Sequence, residues 1–246
     1  MNKKTKLHKK FLLTIMSALM ISMPITTKSF ALEEVPENTE VDQKTIQEQQ
    51  DLFDELDKQI QSNPDKMIEP DKQDDVQKVR TKRSLRSSRK RSPRKYPTRK
   101  GVILVTSDGK SGQLLGHAGI IYTPKKTIES FPASGLAADS GKSKNGVYYY
   151  DNIWNKRFEK VYALNVKNTS KKIDASAADY AEYYIGKPYN WNFADIETNK
   201  KFYCSQLVYK AYKHKAHKNL NYGKGPVHPI DLVKTKHTSI IYSKGV

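Results

Sequence analysis

The chain changes character at residue 101, and that change decides what can fold. Residues 101–246 carry one apolar or aromatic run after another, and these 146 residues are enough for one good core. The stretch before them is built differently. "LEEVPENTEVDQ", which opens residues 32–79, has too little apolar surface to offset the entropy of ordering it. Residues 32–79 hold 15 acidic and 5 basic side chains, whereas residues 80–100 hold 11 basic and no acidic ones. The net charge of +18 therefore hides regions of opposite sign.

One segment of the acidic region has a pattern. "TIQEQQDLFDELDKQIQ" places Ile46, Phe53 and Ile60 at a seven-residue repeat, with Leu52 and Leu56 beside them. That spacing predicts one amphipathic helix ending near "SNPD". It reads as a spacer helix, or as a pro-segment helix docked on the domain that follows. The pattern alone names no docking surface, so the spacer is the preferred reading. "RTKRSLRSSRKRSPRKYPTRK", residues 80–100, reads as a flexible, solvated linker.

At the very start, "MNKKTKLHKK" is a basic segment followed by the apolar run "FLLTIMSALMISMPI" and a small-x-small site at Ser29-Phe30-Ala31. The apolar run is short of the roughly 20 residues that a membrane-spanning helix needs. The expectation is a signal peptide over 1–31, cleaved after Ala31, and a secreted or envelope-associated protein. Export argues against nucleic acid as the partner of the basic run. It favours peptidoglycan or another anionic envelope polymer, or peripheral contact with lipid headgroups. A processing site is a further reading of the same run. The sequence sets no oligomeric state.

Within 101–246 the expected elements are strands at "GVILVT", "GHAGIIYT", "TIESF" and "FEKVYALNV", and a short aromatic strand near "VYYYDNIWN". A helix follows over "DASAADYAEYYIG", with Asp174 as its cap and Gly186 as its end. A second helix starts at "YCSQLVYKAYKHKA", and "TSIIYS" closes as a strand. Strands and helices are segregated along the chain. The fold class is α+β, with a mainly antiparallel sheet packed against two or three helices.

Cys204 is the chain's single cysteine. In an exported protein it is a buried inert thiol, half of an intermolecular disulfide, or a nucleophile. Its place at a predicted helix start favours the last, because the helix dipole and the unpaired N–H groups there stabilise a thiolate. A thiolate nucleophile also wants an imidazole beside it. His214 and His217 fall on a lysine-rich helix end, His228 in a turn and His237 in a polar loop. His117 alone lies in an apolar strand, flanked by glycines, and is the candidate base. Glu129, on the next strand, is the candidate to orient it, with Asp139 and Asp151 in reserve. His117 and Glu129 share a sheet face only if the intervening hairpin has an odd loop or a bulge. Tyr203, beside the cysteine, is a candidate substrate-binding residue. No metal or cofactor is expected, since the remaining His and acids show no ligand spacing.

"GKPYNWNF" followed by "YCSQLV", with "GHAGIIY" upstream and "HPIDL" downstream, resembles the circularly permuted NlpC/P60 families of YiiX/YebB type. The resemblance covers most of 101–246 and none of 32–100. It implies a permuted papain-like fold with Cys204 as nucleophile, His117 as base and Glu129 as third polar member. It also implies that Tyr189 lies beside the nucleophile and helps bind substrate or oxyanion; packing in the core is the alternative. The expected activity is cysteine hydrolysis of an amide bond through a thioester, in peptidoglycan stem peptides. Lipid acyl transfer on the same fold, or a non-catalytic basic envelope-binding module, are the alternatives.

Overall fold

The computed structural model describes residues 42–72, 95–132 and 145–246. The expected signal peptide, most of the basic linker and Asp139 lie outside the described residues.

Six strands form one sheet. They are β1 (Ile103–Ser111), β2 (Leu114–Thr123), β3 (Lys126–Phe131), β4 (Gly146–Asp151), β5 (Val161–Val166) and β6 (Thr238–Lys244). Their order is β4-β3-β2-β1-β5-β6, and every adjacent pair is antiparallel. β2 is buried along most of its length, which explains why "LLGHAGII" runs apolar without alternation. Its odd and even residues serve opposite faces. Ala118 and Ile120 join the larger core with Ile103, Val105 and Ile128, while Ile121 joins a smaller one with Leu104, Trp154 and Phe158.

Four described helices complete the domain: α3 (Trp154–Arg157), α4 (Lys171–Tyr183), α5 (Cys204–Ala216) and α6 (Pro229–Lys234). α4 and α5 bring Ala177, Ala178, Ala181, Leu207, Val208 and Ala211 into the larger core. The α+β class and the mainly antiparallel sheet are as the sequence predicts. Asp174 is not the cap of α4; the Ser170 side chain takes that role, accepting from the Ile173 N–H at 3.2 Å. "VYYYDNIWN" resolves into β4 and the single turn α3.

The acidic segment differs most from expectation. α1 (Gln43–Ser62) is packed against the sheet domain and is no free spacer, and a short α2 (Pro64–Met67) follows it. Phe53, Leu56 and Ile60 are buried in the larger core, and Phe53 stacks on Tyr162 with ring centroids 5.7 Å apart. Gln49 pairs with the β1–β2 hairpin, donating to the Gln113 carbonyl at 2.8 Å and accepting from the Leu115 N–H at 2.9 Å. Asp57, also buried, accepts from the Tyr162 hydroxyl and from Lys160. The apolar stripe is what drives this docking, and two polar side chains fix its register.

The linker boundary also moves. Pro97 is buried and Tyr96 donates to Asn152, so residues 95–100 are part of the domain rather than flexible linker. Arg99 and Lys72 both donate to the fully buried Asp174, each at 2.8 Å, and Thr169 donates to it at 2.6 Å. A buried carboxylate needs such partners to remain charged.

Candidate active site

Tyr203 has extended backbone, and helical geometry starts at the next residue, Cys204. The turn is set by Gln206, three residues into the helix end, whose Oε1 accepts from the Tyr203 N–H at 3.1 Å. The same oxygen accepts from Asn190 at 3.0 Å, which ties the aromatic loop Tyr189–Phe193 to the start of α5. Cys204 therefore stands on the first helical turn, where backbone N–H groups lack helical partners.

His117 comes to the sulfur from β2. The strand pairs with β1 at Thr106, just before a bulge in β1, and Gly116 takes φ +80° there. A Cβ at Gly116 would lie 1.9 Å from the Thr106 carbonyl oxygen, so only glycine lets the two strands approach at this point. Cys204 is close enough to the His117 ring and to the Ala118 N–H for each to favour its ionised form. The ring stacks nearly parallel to Phe131 at 3.9 Å and to Trp154 at 5.5 Å.

Glu129 holds the ring from the other side. Its Oε2 lies 3.0 Å from His117 Nε2, which leaves Nδ1 as the nitrogen for Cys204. The hairpin condition is met by a bulge: Ile121 faces Thr127 and Thr123 faces Lys126, with Tyr122 as the extra residue. Gly119 is then opposite Glu129, and His117, two residues along, shares its face. Glu129 is fully buried and accepts from three further donors. These are Trp154 Nε1 at 2.8 Å, the Thr127 hydroxyl and Arg157 Nη2.

The electrostatics follow from this geometry. Burial alone would push the Glu129 carboxyl up, but the Arg157 charge and the His117 and Thr127 hydrogen bonds outweigh it and hold it at about 2. Burial likewise opposes charge on the imidazole, yet Cys204 and Glu129 together raise it above its ordinary value. The thiol is lowered in turn: burial works against ionisation, and the His117 contact, the Ala118 N–H and Ser205 overcome it. Each group thus favours the charged form of its neighbour, and the arrangement is suited to a thiolate–imidazolium pair.

The other expected site residues divide. Tyr189 is buried close enough to Cys204 to feel its charge, and its hydroxyl lies 3.1 Å from Ser111 Oγ. Tyr203 is not part of a substrate surface. It is fully buried, its hydroxyl donates to the Phe193 carbonyl at 3.3 Å and accepts from the Val227 N–H at 2.9 Å, so both polar positions are used inside the protein. Asp151 binds Lys126 at 2.6 Å on the surface and does not orient the histidine. His214 stacks on Tyr180, His217 ends α5 and His228 precedes α6. Among the described residues no group of three or more His, Cys, Asp or Glu is placed to hold a metal ion. Sequence reasoning missed Thr127, Trp154 and Arg157. Thr127 was findable, being two residues from Glu129 and so on the same strand face; nothing local marks the other two.

Residues 116–224 match a family described as permuted papain-like amidase enzymes, YaeF/YiiX, C92 family. The matched stretch contains Cys204, His117, Glu129 and Tyr189. That description is of permuted papain-like amidases, a name other than NlpC/P60, and the match takes in a little under half of the chain. Over 153 residues the chain is 27% identical to the uncharacterized protein YycO of Bacillus subtilis strain 168, spanning 60% of this chain and 58% of that protein's length. A crystal structure described as metalloprotein yiiX from Escherichia coli O157:H7 overlaps with a TM-score of 0.44 at 18% identity, over 61% of this chain and 99% of that one.

Proposed function

We propose that the domain is a cysteine hydrolase of the permuted papain-like amidase type, acting on an amide bond in the stem peptides of peptidoglycan. The observation that carries the chemistry is the contact chain from the Cys204 sulfur through the His117 ring to Glu129, at a helix start. His117 takes the thiol proton at Nδ1, and the thiolate attacks the amide carbonyl carbon. The first-turn N–H groups of α5 face the developing oxyanion, and the Tyr189 hydroxyl is a candidate side-chain donor for it. The protonated His117 gives its proton to the leaving amine as the C–N bond breaks, leaving a thioester. Water, deprotonated by the same nitrogen, then adds to the thioester and the sulfur departs.

The substrate class is supported by charge. The 44 basic against 26 acidic side chains, together with the export-type start of the sequence, suit a protein held on an anionic envelope polymer. Incubation with purified muropeptides and, separately, with phospholipid vesicles, read by mass spectrometry, tests this. Peptide cleavage that disappears in Cys204→Ser supports the proposal. Fatty-acyl release with intact muropeptides would replace amide hydrolysis by acyl transfer, and no product from either would leave a binding module. Binding to cell walls is expected to fall steeply as salt is raised.

A further inference from the structure

Four ionisable side chains are joined end to end inside the domain: Cys204, His117, Glu129 and Arg157. The first three alone cannot be charged together without leaving one net negative charge in the interior, which is costly. Arg157 removes that imbalance. It stands at the end of α3, its side chain 12% exposed, and its Nη2 donates to the same Glu129 oxygen that faces His117. Phe131, Trp154 and Phe158 form a shared aromatic wall. The guanidinium carbon lies 5.7, 5.2 and 4.5 Å from their ring centroids, and all three rings also pack against His117. With thiolate, imidazolium, carboxylate and guanidinium all present, the buried cluster is neutral.

We propose that Arg157 is a positioning residue for the nucleophile, supplying through Glu129 the fourth charge that allows the Cys204–His117 pair to exist as thiolate and imidazolium. This rests on the reading of Cys204 as the nucleophile. Arg157 touches neither the sulfur nor the imidazole nitrogens through any described hydrogen bond; it acts through Glu129. Without it the cluster lowers its energy by keeping a proton on sulfur. The other titratable groups facing the cluster are Tyr189 and Tyr203 beside Cys204 and Tyr96 near Glu129, all pushed upward by burial and so neutral across the working range. Thr127 and Trp154 are neutral donors to Glu129 and cannot replace the charge.

The test is the pH dependence of Cys204 alkylation by iodoacetamide in the full chain, measured by intact mass at a series of pH values. In the wild type the midpoint should lie below that of a free thiol. Arg157→Gln should raise it by roughly one unit, giving about tenfold slower alkylation on the acid side of the midpoint. Arg157→Lys, which keeps the charge, should restore the low midpoint. The double variant Glu129→Gln/Arg157→Gln removes both charges of the pair and should also keep it. A purely structural role would instead leave the midpoint unmoved in Arg157→Gln, or raise it in all three variants. Either result overturns the proposal. Where Arg157→Gln does not fold, the other two decide: a raised midpoint in either refutes charge balance, and low midpoints in both support it. An ordinary free-thiol midpoint in the wild type would instead refute the nucleophile reading itself.

Discussion

Phe53→Ala measures whether α1 belongs to the folded domain. The Phe53 ring is fully buried, stacks on Tyr162 at 5.7 Å and sits in the same core cluster as Leu164 and Val166 of β5. Truncating a buried Phe to Ala typically costs about 3–5 kcal/mol, as lost transfer energy plus a cavity. In a domain of this size each kcal/mol moves the melting temperature by roughly 2–4 °C. A value near the middle, about 4 kcal/mol, therefore predicts a fall of roughly 12 °C. Glu55→Ala is the control on the same helix. Its carboxylate is 55% exposed and 3.4 Å from Lys234, and such a surface pair is worth under about 1 kcal/mol. Thermal unfolding followed by circular dichroism on both variants gives the comparison. If Phe53→Ala melts within about 3 °C of the wild type, or no lower than Glu55→Ala, α1 is a spacer in solution and the packing argument fails.

Other outcomes follow from the site. His117→Ala should slow iodoacetamide alkylation of Cys204 at neutral pH at least about tenfold, because the thiol loses the partner that lowers it; an unchanged rate would remove the imidazole from the mechanism. Glu129 sits at about 2 in the folded protein, below its ordinary 4.5. A depressed carboxylate contributes stability that is present above the unfolded value and lost as pH falls through the folded one. Wild-type stability should thus drop by roughly 3 kcal/mol between about pH 4.5 and 2 from this group, and urea titrations of Glu129→Gln should show a shallower decline over that window. Gly116→Ala would force a Cβ to 1.9 Å from the Thr106 carbonyl at φ +80°, so it should lower stability by several kcal/mol and alkylation competence with it. Urea unfolding within about 0.5 kcal/mol of wild type would contradict that backbone argument.

Local pattern carried much of the site. The apolar run around His117 is a buried strand, and the switch from aromatic loop to helical spacing at Cys204 is where α5 begins. Both signals are short-range, and both survive folding because β2 and α5 are long enough to obey their own periodicity. What stayed hidden depends on distant partners. Asp174 reads as a cap because it opens an apparent helix, but its partners Lys72 and Arg99 lie 102 and 75 residues away. The α1 stripe was legible as a helix, yet its receptor is assembled from β5, α6 and the β1–β2 hairpin. Arg157 looks like one more basic residue in a basic chain until Glu129 is seen to be buried against it. Tyr203 shows the opposite error: adjacency to Cys204 suggests contact with substrate, whereas the helix start turns its ring inward.

The stacking of His117 on Phe131 and Trp154, with its far nitrogen anchored on Glu129, has a consequence for turnover. An imidazole wedged in this way cannot swing from one station to another as the reaction proceeds. In the proposed reaction, the nitrogen that relieves the sulfur of its proton must also hand it back. It falls to the scissile group to travel, and any molecule the domain can cleave has to deliver its departing end to that one fixed spot.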